Sequence, residues 1–161
     1  MKALPSRVLV SVIALVGAGD SHGAEIPADA KAALEKAGEW ELYSLDPSRL
    51  TEPPKDGFHG WKVLGKTTVK DADTRKTLLA ALEKGAKDND GKVAACFNPR
   101  HGIRVKAGDK TIDLVICFEC FSASVFTGDE KSGSFLTTGS PQPALDKVLT
   151  DAKVPLPKGR D

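Results

Sequence analysis

All three cysteines of the chain fall in two short stretches, Cys96-Phe97-Asn98-Pro99-Arg100-His101-Gly102-Ile103 and Ile116-Cys117-Phe118-Glu119-Cys120, together with one of its three histidines. These residue types support four chemistries. The simplest is a structural disulfide in an oxidising compartment, joining Cys96 to Cys117 by strand parity, or to Cys120 if Pro99 introduces a bulge. The second is a zinc site, because Cys96, His101, Cys117 and Cys120 form a Cys3His set of the kind zinc favours. The third is thiol redox chemistry at Cys117-Phe118-Glu119-Cys120. Reactive pairs of this spacing normally open a helix, whose dipole favours the thiolate, whereas this one closes an apolar β-run and carries an acidic Glu119. The fourth is a nucleophilic Cys96 served by His101, with Asp113 or Glu119 orienting the imidazole. If none of these holds, the cysteines are merely buried thiols.

Arg100 carries a planar fork that matches carboxylates and phosphates. With His101 and Glu119 it forms a candidate ligand-binding group. His59, in the aromatic loop Gly57-Phe58-His59-Gly60-Trp61, is a fourth candidate that would flank a pocket. The chain contains no phosphate loop, dinucleotide-binding glycine pattern, HExxH, GxSxG or EF-hand loop. The expectation is a non-enzymatic structural or ligand-binding module, stabilised by a disulfide and needing no cofactor. A zinc-binding protein is the alternative, and a thiol redox or Cys-dependent enzyme the second alternative.

The elements that position these residues can be read from periodicity. Ala28–Ala37 is an Ala-rich helix ended by Gly38. Trp40–Leu45 alternates as a strand, and Asp46-Pro47 stops it. Residues 46–60 form a loop rich in Pro and Gly. A second strand covers Trp61–Lys70, with Gly65 as a bulge. Asp71–Glu83 is the clearest helix, capped by Asp71 or Asp73, apolar at Leu78, Leu79 and Leu82, and ended by Gly85. Lys87–Gly91 is a polar turn.

Strands are then expected at Lys92–Phe97, Gly102–Lys106 and Thr111–Phe121, with weaker ones at Ser122–Phe126 and Ser134–Thr138 around a polar loop, Gly128–Gly133. A last helix starts at Ser140-Pro141, with Ser140 as its cap, and buries Leu145, Val148 and Leu149. Runs of strands joined by short turns between helices point to an α+β domain, a mainly antiparallel sheet with helices packed on one face.

The turn at Gly108-Asp109 fixes a hairpin register. Val105 faces Ile112, Arg104 faces Asp113 and Ile103 faces Leu114. Two apolar pairs and one ion pair agree with that register. Ile112, Leu114, Ile116 and Phe118 then share the core face, while Asp113, Val115, Cys117 and Glu119 share the other. In one continuous strand the Cα atoms of Cys117 and Cys120 would be ~10 Å apart. That exceeds the ~7 Å reach of a disulfide. No Cys117–Cys120 bond is therefore expected, because Phe118 and Glu119 are poor turn formers.

The two cysteine motifs, with FHGWKVLG (Phe58–Gly65) before them and GSPQPALDKVL (Gly139–Leu149) after them, resemble a family of small exported bacterial proteins of uncharacterised function. The resemblance covers roughly Glu41 to Pro157 and is specific at the cysteine motifs. It implies a self-contained domain and carries no activity with it.

The N-terminus reads as a secretory leader. Lys2 and Arg7 precede the apolar run Val8–Ala18, and small and polar residues follow to Ala24. The run is shorter than the about 20 residues that a membrane-spanning helix needs. Residues 1–24 are expected to be removed, with cleavage between 18 and 24. Residues 25–157 would form one domain and 158–161 a frayed tail.

Of 23 basic and 22 acidic residues, the leader holds Lys2, Arg7 and Asp20, which leaves 21 of each. A balanced charge does not attract nucleic acid or an anionic membrane surface. The expected location is periplasmic or extracellular, with no nucleic-acid partner and no integral membrane segment after cleavage.

Overall fold

The computed structural model describes residues 25–158. The expected leader and the last three positions of the expected tail lie outside the described residues. The chain runs α1 (Ala28–Lys36), β1 (Trp40–Asp46), β2 (Lys62–Val69), α2 (Ala72–Lys87), β3 (His101–Ala107), β4 (Lys110–Cys117), β5 (Ser122–Thr127), β6 (Glu130–Leu136) and α3 (Gln142–Asp151). The strands form one antiparallel six-stranded sheet in the order β2-β1-β3-β4-β5-β6. This is the expected α+β domain. Among the described residues no helix is long and apolar enough to cross a membrane.

Strand alternation gives the sheet two faces. Trp40 and Leu42 of β1, Ile103 and Val105 of β3, and Ile112, Leu114 and Ile116 of β4 point to the same side. There they pack with Leu34 of α1, Leu78 and Leu82 of α2, and Leu145 and Leu149 of α3. All three helices therefore cover one face. The other face carries a smaller cluster of Tyr43, Leu45 and Val115, sealed by Phe58 from the β1–β2 loop. The hairpin register is as expected: Ile103 pairs with Leu114, Arg104 with Asp113 and Val105 with Ile112. The bulge in β2 sits beside Gly65, where the pairing steps from Ser44–Gly65 to Leu45–Val63. Asp71 caps α2 by accepting from the Thr74 N–H.

Several local expectations are corrected. The expected strand Thr111–Phe121 is two elements, since β4 ends at Cys117 and the chain turns through Phe118–Phe121 into β5. Lys92–Phe97 is no strand; it runs outside the sheet, where the Ala94 N–H bonds to the Cys120 carbonyl in the β4–β5 turn. The polar loop Gly128–Gly133 is a two-residue turn, with Gly128 at φ +62°, running directly into β6.

Gly85 does not end α2, which runs on to Lys87. It lies where the helix meets the β6–α3 corner so closely that an added Cβ would fall 2.5 Å from Pro141 Cγ. Ser140 makes no capping bond to α3. Its hydroxyl instead meets Thr138 Oγ1 at 2.8 Å. The tail is docked as far as Lys158, whose carbonyl accepts from Arg100 Nη1 at 2.9 Å.

Candidate functional site

The cysteines meet at the β4–β5 turn. The Cys120 N–H donates to the Cys117 carbonyl at 3.2 Å, and Phe121 N–H donates to the Phe118 carbonyl at 3.3 Å. Phe121 takes φ +56°, a left-handed conformation that lets the chain reverse, and Ser122 then pairs with Cys117. The turn exists despite poor turn residues because both of its central side chains are held elsewhere. Phe118 is buried with its ring edge against His101, at 5.3 Å between centroids. Glu119 accepts from Arg100 Nη2 at 3.0 Å.

The reversal brings the Cα atoms of Cys117 and Cys120 to 5.2 Å, and the two are joined as a disulfide. This corrects two expectations: the Cys96–Cys117 pairing, and the exclusion of a Cys117–Cys120 bond. Both rested on an extended chain through Phe118 and Glu119.

Cys96 keeps a free thiol. It lies on the segment that precedes β3, which leaves the sheet at Pro99 because proline has no N–H to give a ladder. That segment runs back past the turn, with the Ala94 N–H donating to the Cys120 carbonyl at 3.1 Å. Cys96 Sγ then stands 3.3 Å from Cys120 Sγ. Cys117 and Cys120 are fully buried, while Cys96 is exposed. Cys117 Sγ also accepts two backbone hydrogen bonds, from Cys120 N at 3.2 Å and Asn98 N at 3.4 Å.

His101 does not join this group. It lies on the helix-covered face with Ile103, whereas Cys117 continues the opposite face of Asp113 and Val115. Its Nε2–H donates to Asp146 Oδ1 at 2.8 Å, a partner supplied by α3. The expected Cys3His set is therefore split. Among the described residues no group of three or more His, Cys, Asp or Glu side chains is arranged to hold a metal ion. The expected helpers of a Cys96–His101 nucleophile are also engaged elsewhere, Glu119 with Arg100 and Asp113 with Arg104 and His59. On the buried side of His101, Nδ1 and the Ser44 hydroxyl have no hydrogen-bond partner, and the two residues face each other across β1 and β3.

Three of the four candidate ligand residues, Arg100, His101 and Glu119, border one cleft of about 240 Å³ beside α3. Arg100 also borders a larger cleft of about 660 Å³ on the side of Asp46 and the docked tail.

His59 stands apart from them. With Gly60 it forms the two-residue turn between Phe58 and Trp61, both turn residues having positive φ (+49° and +84°) as a type I′ turn requires. Histidine is among the few side chains that adopt this region with some frequency. The turn stacks the imidazole on Phe126, 3.8 Å between centroids, and aims Nε2–H at Asp113 Oδ2, 2.7 Å away. Arg104 donates to the same fully buried carboxylate through Nε at 2.8 Å and Nη2 at 2.6 Å. The hydrogen bond to Asp113 raises the Arg104 guanidinium above its already high value, against the opposing effect of burial.

Sequence reasoning missed Asp146 and the His59–Asp113 contact. The pattern Phe-His-Gly-Trp, a turn pair between two aromatics, was the available signal for the second.

No protein-family model, curated protein or solved structure matches the chain, so its function is read from geometry alone.

Proposed function

We propose that the protein is an exported redox-active thiol module, in which Cys96 carries thiol–disulfide exchange between the surroundings and the buried Cys117–Cys120 pair. The observation that carries this reading is the 3.3 Å separation of Cys96 Sγ from Cys120 Sγ. Exchange proceeds by thiolate attack on a disulfide sulfur, so a free thiol at van der Waals distance from a disulfide is placed to react. The burial pattern supports a division of roles. An external partner reaches Cys96, and Cys96 reaches Cys120.

Starting from the reduced pair, the Cys96 thiolate attacks an external disulfide, forming a mixed disulfide and releasing one external thiol. Cys120 attacks Cys96 in that mixed disulfide and releases the second thiol. Cys117 then attacks Cys120 and frees Cys96. The net change is oxidation of Cys117 and Cys120 to a disulfide and reduction of one external disulfide to two thiols. An oxidising location fits both a persistent disulfide and the leader-like N-terminus.

The test uses the purified, reduced chain and oxidised glutathione, with alkylation quenching and peptide mapping over time. The Cys96→Ser variant should oxidise its Cys117–Cys120 pair at least about tenfold more slowly, since an exchange inside one molecule is replaced by attack from solvent on buried sulfurs. Wild-type speed in that variant would overturn the proposal.

A second reading, a small-ligand binding module, is favoured by the convergence of Arg100, His101 and Glu119 on one cleft.

A further inference from the structure

The contact between Cys96 and the disulfide has a direction. Cys96 Sγ meets Cys120 Sγ, so attack forms a Cys96–Cys120 bond and expels Cys117. Cys117 Sγ also accepts from the Asn98 N–H and from the Cys120 N–H, which it shares with the Cys117 carbonyl. A disulfide sulfur is a weak acceptor and gains little from two donors. A thiolate gains far more, because hydrogen bonds to a charged acceptor are roughly twice as strong as neutral ones.

We propose that these two N–H groups form a thiolate-binding site, and that Cys117 is the leaving group and resting thiolate of the exchange. The inference rests on the exchange reading above and adds the order of the sulfurs to it.

The step balances within the protein. The Cys96 thiol gives its proton to solvent, and its sulfur forms a bond to Cys120 Sγ. The Cys117–Cys120 bond breaks, and its electron pair remains on Cys117. Nothing is oxidised or reduced overall. The protein therefore has two disulfide forms. In one, Cys117 is bonded and Cys96 is free at the surface. In the other, Cys96 is bonded and Cys117 is held inside as a thiolate. The backbone conformation that supplies the donors comes from the β4–β5 turn and from the approach to Pro99. Asn98 thus acts through its N–H as a positioning residue.

The experiment compares two single-cysteine chains, Cys96→Ser/Cys120→Ser and Cys96→Ser/Cys117→Ser, by the pH dependence of thiolate ultraviolet absorbance. Near-ultraviolet circular dichroism verifies folding. The chain retaining Cys117 should ionise at least about one pH unit below both the ~8.5 of a free thiol and the chain retaining Cys120. If a double variant does not fold, pH-resolved alkylation of the reduced wild-type chain gives the same comparison. Asn98→Pro, which removes one donor, should move the Cys117 midpoint back upward.

A Cys117 midpoint at or above that of Cys120 would overturn the inference. That result, with Cys96→Ser still slowing oxidation, would leave the exchange reading standing. An unaffected Cys96→Ser rate would remove the exchange reading itself.

Discussion

At the scale of single residues, the contacts legible in the sequence are those between neighbouring strands of one hairpin. Arg104 opposite Asp113 followed from a turn and an alternation. The other two partners of this kind were invisible for a physical reason. Asp113 receives His59 from a loop on the far side of β1, and His101 receives Asp146 from the last helix. No local periodicity records which long-range element will cover a face.

The His101–Asp146 pair has a consequence that can be measured. Burial pushes the Asp146 carboxyl up, but the hydrogen bond and charge of His101, with help from Gln142 and Arg100, outweigh it and hold the group below its usual range. A depressed folded value means that the carboxylate contributes stability above its unfolded value of about 3.9, and that this is lost as pH falls through the folded value. Urea midpoints measured at descending pH should therefore fall less steeply below about pH 4 for Asp146→Asn than for wild type. Parallel acid limbs would show that the pair adds nothing to folding.

At the level of elements, each helix and each sheet strand overlaps one expected from sequence, but a strand was also expected at Lys92–Phe97, β6 begins earlier than expected, and two misplaced boundaries matter most. The run from Thr111 to Phe121 keeps its alternation through Cys117, and Phe118, Glu119 and Cys120 carry no turn signal. The reversal is set by tertiary contacts instead, with Phe118 packed in the core and Glu119 held by Arg100. The disulfide pairing expected from sequence failed with that boundary, because parity along a strand says nothing once the strand has turned.

Gly85 is the second case. A glycine near a helix end reads as a stop, yet α2 continues past it. Its lack of a side chain is used for packing. An added Cβ would lie 2.5 Å from Pro141 Cγ and 2.6 Å from Thr137 Oγ1. Replacing a mid-helix glycine by alanine ordinarily gains about 1 kcal/mol. Overpacking a close contact costs about 1–3 kcal/mol. Because one of these neighbours is a proline ring with little freedom to move, Gly85→Ala should be destabilising, seen as a lower urea midpoint with an unchanged slope. A higher midpoint would mean that the corner yields at no cost.

At the scale of the whole molecule, the fold has a heavy face and a light one. Three helices cover one side of the sheet, and the aromatic loop with Phe97 of the segment before β3 covers part of the other. The cysteine turn lies at one end of the β4–β5 hairpin, and Arg100 joins it to the docked C-terminal segment through Glu119 and the Lys158 carbonyl. Composition and strand–helix order were enough to give this class of fold, because layer architecture follows from which faces are apolar. The meeting of three sulfurs was expected only as part of a zinc set with His101; the turn, the proline exit and the segment outside the sheet that produce it were not legible.

Cys120 is the sulfur shared between the other two, bonded to Cys117 and contacted by Cys96. That is read from non-reducing peptide maps, with free thiols blocked at harvest, of the native chain and of the reduced chain sampled during its oxidation by oxidised glutathione. The native chain should give a Cys117–Cys120 link with Cys96 blocked, and the oxidising chain should give a Cys96–Cys120 link before the Cys117–Cys120 link accumulates. A Cys96–Cys117 link, or three blocked thiols in the native chain, would contradict this assignment.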